Sequence, residues 1–143
     1  MNAAVESFVA GFPDFLMYTG AAGGLLLVGS ILYILLTPMK EIELLRQGNA
    51  SAGLGLAGVI LGLAIPIASC LASSVSLFDL LIWGVVALLI QILAFRIVDL
   101  LLRGLPQRIE NDEAGAAILL IAVKLSSALI IAAARWDPNL ARL

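Results

Sequence analysis

A chain of 143 residues that is 62% hydrophobic, with a net charge of −2, cannot hide its apolar surface in a core of its own. A domain this small keeps a large share of its surface exposed, and an ordinary soluble domain is only about half apolar. There is no histidine, one cysteine (Cys70) and no basic cluster, which excludes an intrachain disulfide, the commonest metal ligand and a nucleic-acid surface. The mean hydropathy of +1.12 assigns the excess to lipid.

The segment Met1–Gly11 contains Glu6 and no Lys or Arg, so it lacks the basic region of a signal peptide. Val5, Phe8, Val9 and Phe12 share one side of a helix, and a short interfacial helix is predicted there. The first apolar run is Phe12–Leu36, with a small-x-x-x-small pair at Gly20 and Gly24. A charged break follows with Lys40, Glu41, Glu43 and Arg46.

The second run, Leu54–Ser74, carries a stripe of small residues, Gly55, Gly58, Gly62, Pro66 and Ser69. Such stripes let helices approach closely in lipid. Pro66 removes one backbone hydrogen bond and kinks the helix, either as a plain bend or as the broken helix of a transporter. The third run is Leu77–Leu102. It holds Trp83, Gln91, Arg96 and Asp99. A second charged break has Arg103, Arg108, Glu110, Asp112 and Glu113, and the fourth run is Ala114–Trp136. Gly115, Ala122, Ser126 and Ala133 space small residues along it, so the second and fourth spans are expected to pack centrally.

Each run reaches the roughly 20 apolar residues that a membrane-crossing helix needs. The runs are continuous rather than alternating, which favours helices over a barrel. The fold class is therefore an all-α membrane protein with four transmembrane helices in a single domain, residues 1–143. Arg46-Gln-Gly-Asn-Ala-Ser-Ala-Gly precedes the second span and Arg108-Ile-Glu-Asn-Asp-Glu-Ala-Gly precedes the fourth. Two degenerate parallel helical-hairpin repeats, about 12–74 and 77–136, are expected, with Asn49 and Asn111 capping the helices that follow. The Lys and Arg residues of the two breaks place both in the cytoplasm and both termini in the periplasm. Arg135 and Arg142 run against this orientation, whereas Trp83 and Trp136 at the outer interface agree with it.

Lys124 lies about ten residues into the fourth span, where a charge costs about 2.5–3.5 kcal/mol. Three readings compete. Lys124 lines a watery site for an anion or lipid head group; it ties spans together through Gln91, Ser127 or a carboxylate of another subunit; or it snorkels to an interface. Arg96 and Asp99 are spaced to pair along the helix, and Arg96 with Arg103 forms a candidate lipid head-group site. The acidic residues of the breaks read as solvated charges or as a docking surface. No nucleophile–base pair, metal cluster or phosphate loop appears, so neither an enzyme nor a cofactor is expected.

The stretch Glu43-Leu-Leu-Arg-Gln-Gly-Asn-Ala-Ser-Ala-Gly, running on to Leu61-Gly-Leu-Ala-Ile-Pro-Ile-Ala-Ser, resembles the YjfL-like inner-membrane family (domain of unknown function 350). Gly48, Asn49, Ala52, Gly62 and Pro66 match its pattern of Gly-Asn, alanines and Gly-x-x-x-Pro. The second half looks like the family's second copy, but Asn-Asp around Asn111 replaces Gly-Asn and Lys124 interrupts the span. The resemblance implies a bacterial inner membrane, four spans and an association with envelope-stress proteins of the phage-shock type and with ATP-grasp ligases. The function expected is a non-enzymatic accessory or anchoring subunit of a membrane or envelope-stress system. Its partners would be membrane lipids, further copies or other membrane subunits, and a cytoplasmic protein. The alternative is a small homo-oligomeric channel or transporter using Lys124 and Gln91.

Overall fold

In a computed structural model, residues 2–73 and 76–135 are described, and they form six helices. These are α1 (Ala3–Leu36), α2 (Glu41–Arg46), α3 (Ala50–Ser73), α4 (Leu77–Leu102), α5 (Leu105–Glu110) and α6 (Ala114–Ala134). Of these, α1, α3, α4 and α6 are long and apolar enough to cross a membrane, so the all-α, four-span architecture is present. Ser74, Trp136 and Arg142, which enter the expectations for the second span, the interface and the tail, lie outside the described residues.

The interfacial helix expected before the first span is instead the opening of α1, which runs unbroken through Pro13. Nothing between Gly11 and Phe15 supplies a turn, and one missing amide does not end a helix whose other bonds are intact. At 1.5 Å per residue its 34 residues extend about 51 Å, against roughly 30 Å of hydrocarbon. The other end of α1 is sharp. Thr37 precedes Pro38, which disfavours helical backbone, and Thr37 is extended at φ −92°, ψ 144°. Its hydroxyl donates to the Ile34 carbonyl at 3.3 Å, a group the helix end leaves free, and also to the Tyr33 carbonyl at 3.0 Å.

α2 and α5 end in turns with the same backbone bonds. The Gly48 amide donates to the Leu45 carbonyl and the Asn49 amide to Leu44, both at 3.0 Å. The Asp112 amide donates to Ile109 and the Glu113 amide to Arg108, both at 2.9 Å. This is the Schellman pattern, which needs a left-handed residue, and Gly48 (φ +85°) and Asp112 (φ +57°) supply it. The turns thus align Gly48 with Asp112, not Asn49 with Asn111 as the sequences suggest. Asn49 caps α3 as expected, its side-chain oxygen accepting from the Ala52 amide at 2.8 Å. Asn111 does not cap α6 but closes the C-terminal end of α5. Glu113 occupies the N-cap position of α6 and makes no side-chain capping bond.

α3 is the hub: it packs on α1, α4 and α6, most extensively on α6. The expected pairing of the second and fourth spans is therefore present, but the third span does not lie outside it as that expectation implied, since α4 packs on α1, α3 and α6. A Cβ on Gly58 would lie 3.3 Å from the Ile121 Cα, so the two backbones meet where the glycine stripe permits. α1 is the outermost span. It contacts α3 where Leu63 fits against Gly29, and α4 where Leu25 fits against Gly84. Two expected stripes face outward instead. Gly115, Ala122, Ser126 and Ala133 are exposed, and the buried side of α6 carries Ala117, Leu120, Lys124 and Ala128. At 100° per residue, the four small positions lie about 160–180° from Lys124, so burying the lysine turns them away. Gly20 and Gly24 are also exposed, with nothing within 4 Å of a Cβ placed there.

Candidate functional site

The Gly62 carbonyl would ordinarily accept from the amide four residues on, but that residue is Pro66, which has none. Gln91 of α4 takes its place. The Gln91 Nε2 donates to the Gly62 carbonyl at 3.1 Å and to the Lys124 carbonyl at 3.2 Å, and it lies 3.5 Å from the Ser127 hydroxyl. A Cβ on Gly62 would fall 2.6–2.8 Å from the Gln91 amide group. Gly-x-x-x-Pro therefore acts as a receptor for a side chain: the proline frees a carbonyl and the glycine opens room for the group that fills it. Ser127 donates back to the Lys124 carbonyl at 2.8 Å. Lys124, Gln91 and Ser127 do meet, joining α3, α4 and α6, but through the Lys124 main chain. The hydrogen bond expected between the Gln91 oxygen and the Lys124 ammonium is absent, and Gln91 Oε1 has no hydrogen-bond partner among the described residues.

The Lys124 side chain turns elsewhere. Helical side chains lean toward the N-terminus of their helix, which carries this one toward the end of the bundle that holds α2 and α5. Its Nζ sits 4.2 Å from the centre of the Tyr33 ring, a cation–π contact. Tyr33 is held edge-on to Phe95, with ring centres 6.3 Å apart. Beyond lies Glu41, 1% exposed, while Tyr33, Gln91 and Lys124 are each 0% exposed. Burial pushes the Glu41 carboxyl above its usual range, and the Lys124 charge opposes that rise. The two are electrostatic neighbours without forming a direct ion pair; those among the described residues are Lys40–Glu43, Arg108–Glu113 and Arg135–Asp79. Both Glu41 carboxylate oxygens, Lys124 Nζ and the Tyr33 hydroxyl lack hydrogen-bond partners among the described residues. A buried polar group left so costs about 1–3 kcal/mol, and more when charged.

Two expectations are corrected here. Glu41 is not a solvated loop charge, and Lys124, wholly buried, has no surface to offer a carboxylate of another subunit. The clue was Glu41-Ile-Glu-Leu-Leu. A helix starting after Pro38 puts Glu41 on one face with Leu44 and Leu45, three and four residues on. Only the packing of α2 shows that Glu41 itself is covered.

Arg96 and Asp99 do not pair. Arg96 is exposed, and Asp99 accepts from the Leu105 amide at 2.9 Å, tying α4 to α5. Arg103 is also exposed, with φ +51°. The residues around Gly48 and Asn49 form a clasp between the halves. Asn49 Nδ2 donates to the Ile109 carbonyl at 2.8 Å and Glu110 at 3.2 Å, while Asp112 accepts from the Ser51 amide at 2.8 Å. That bond holds the Asp112 carboxyl below its usual range. Asp112 therefore caps α3 across the bundle, a role its sequence neighbours do not betray. At the opposite end Arg135 binds Asp79 at 2.6 Å and lies over the Trp83 ring at 4.7 Å.

Four apolar spans wrapped around a polar cluster, with two short helices closing one end, define a small multi-pass α-helical membrane protein. Residues 7–135 match the family model described as Domain of Unknown Function (DUF350), and the chain belongs to that family, as the motif residues implied. It is 33% identical over 102 residues to the UPF0719 inner membrane protein YjfL of Escherichia coli strain K12, covering 71% of this chain and 77% of that one. The same figures hold for the protein of that name from Escherichia coli O157:H7. No solved structure matches the chain.

Proposed function

We propose that the chain is a non-enzymatic accessory or anchoring subunit of a bacterial inner-membrane or envelope-stress system, with the end formed by α2 and α5 in the cytoplasm and both termini in the periplasm. The observation that carries this reading is the clasp of Asn49 and Asp112. It ties the turns of both halves into one built platform, on which Glu43, Arg46, Glu110 and Glu113 are exposed. Short loops that carry Lys and Arg, here Lys40, Arg46, Arg103 and Arg108, stay on the cytoplasmic side, and a charged platform suits a soluble partner. The matching turns after α2 and α5 support two degenerate parallel hairpins. Arg96 and Arg103, exposed near the same end, suit anionic lipid head groups, and the outward Gly20 and Gly24 suit a further helix. The test is purification from native membranes in mild detergent, with mass spectrometry of what accompanies the chain. A stoichiometric partner lost on Glu110→Lys supports the reading; a homo-oligomer carrying only lipid refutes it.

A channel or transporter is the second reading, and the buried Lys124 cluster favours it, because ionisable residues inside membranes mark ion and proton pathways. The burial of Lys124 within one bundle suits a pathway through a single chain better than one between subunits. Flux through proteoliposomes that Lys124→Leu abolishes without loss of folding would establish it.

A further inference from the structure

Tyr33 on α1, Glu41 on α2, Gln91 on α4 and Lys124 on α6 bring four buried polar groups into one neighbourhood. Their unused atoms are complementary. An ammonium only donates, a carboxylate and an amide oxygen only accept, and a phenol does both. Yet the Tyr33 hydroxyl, both Glu41 carboxylate oxygens, Gln91 Oε1 and Lys124 Nζ have no hydrogen-bond partner among the described residues. Glu41 and Lys124 act on each other electrostatically yet form no direct ion pair, and polar groups that do not touch are commonly bridged by water. The charges also select the ligand. Lys124 repels a cation and Glu41 repels an anion, so a neutral molecule that donates and accepts suits both. Water is the smallest such molecule, and it occupies buried sites that offer two to four polar partners.

We propose that Tyr33, Glu41 and Lys124 line a hydrated site in which ordered water bridges the Glu41 carboxylate to the Lys124 ammonium, and that Glu41 is where this site takes up a proton. On uptake, a proton from the aqueous side adds to a Glu41 oxygen, the carboxylate becomes a neutral acid, and the Lys124 charge loses its counterion. The charged group acting on Glu41 is Lys124, and Glu41 in turn acts on Tyr33. α3, on which α2 packs, has no Asp, Glu, Lys, Arg or Tyr. On α4, Arg96 is turned outward, Asp99 is bound to the Leu105 amide and Asp79 belongs to the far end. The site is thus a nearly isolated pair, whatever the protein as a whole does in the membrane.

The chain has two lysines, Lys40 and Lys124, so the full protein in liposomes, grown with 15N-lysine, gives two side-chain signals in solid-state NMR. Lys40→Arg leaves that of Lys124 alone. The expected result is magnetisation transfer from water to the Lys124 Nζ at a rate comparable with the exposed Lys40. A Lys124 signal that receives none while Lys40 does overturns the hydrated site. A pH titration then tests the proton. The Lys124 signal should move in one step that vanishes in Glu41→Gln. A signal that stays still across the titration, or that steps identically in Glu41→Gln, overturns the role of Glu41. Should Glu41→Gln fail to fold, 13C-glutamate labelling of the unaltered chain replaces it. One carboxyl titrating together with the Lys124 signal supports the proposal, and none doing so refutes it.

Discussion

The first half of the chain (α1, α2, α3) and the second (α4, α5, α6) use the same plan of span, short helix, Schellman turn and span, but they stock it differently. At the turn, the first half has Gly48, which takes a positive φ at no steric cost. The second has Asp112 in the same conformation, which costs a non-glycine residue about 1 kcal/mol. In return, the Asp112 carboxylate reaches the first turn of α3. Within the bundle, the first half provides the freed Gly62 carbonyl, the Tyr33 ring and the Glu41 carboxylate. The second provides Gln91 and Lys124, which fill or face them. One backbone plan thus becomes two complementary surfaces, and neither half can replace the other.

The largest expected effect comes from breaking that complementarity at its charges. Lys124→Met leaves Glu41 buried without a counter-charge and should lower stability by about 3 kcal/mol. Adding Glu41→Gln should recover part of the loss, and denaturant unfolding in detergent of the two singles and the double measures the coupling. Equal, additive losses would show that the pair does not interact. Next comes Gly62→Ala, whose methyl group enters the space of the Gln91 amide. Forcing the amide aside and stranding the Gly62 carbonyl should cost about 2 kcal/mol. Gln91→Ala in the same chain removes the clash, so thermal melts should show the second substitution costing far less than it does alone.

Smaller effects sharpen the comparison of the turns. Gly48→Ala forces alanine into a left-handed conformation, for about 1 kcal/mol. Asp112→Gly removes that strain but also the cap of α3, so its net effect should be smaller than that of Gly48→Ala. If both lower the melting temperature equally, the turns differ less than their residues imply. The smallest effect is in pH. The bond from the Ser51 amide lowers the Asp112 carboxyl below its unfolded value. Its contribution is therefore complete above the ordinary carboxylate range, near pH 4, and is lost as pH falls through its lower folded value. In Asp112→Asn the acid limb of a stability–pH profile should flatten by this one group.

Much of the fold was legible along the chain. Long apolar runs have one answer in lipid, because every backbone group must be satisfied within its own helix. Thr37-Pro38 ends α1 and Asn49 caps α3 for local reasons that act over a few residues. The candidate site was only half legible. Lys124 and Gln91 stand out because polar residues are costly in a span, whereas Glu41 and Asp112 do not, since each sits among charges that look solvated. Facing was misread on α6 for a related reason. Small residues occur on several sides of that helix, and hydropathy so uniform carries no moment to choose among them.

The sequence by itself determined the environment, the number of spans, the end of α1 at Thr37-Pro38, the Asn49 cap of α3 and the glycines and proline that allow close approach. Each of these follows from the chemistry of a residue and its near neighbours. Only the tertiary structure decided which face of each span turns inward, that Gln91 replaces the amide Pro66 lacks, that Asp112 caps a helix of the other half, and that Glu41 lies beside Lys124. Those contacts join residues from about 29 to 61 apart in the chain, or farther. In lipid no hydrophobic effect drives helices together; their partners are set by shape and by the few polar groups that must find one another.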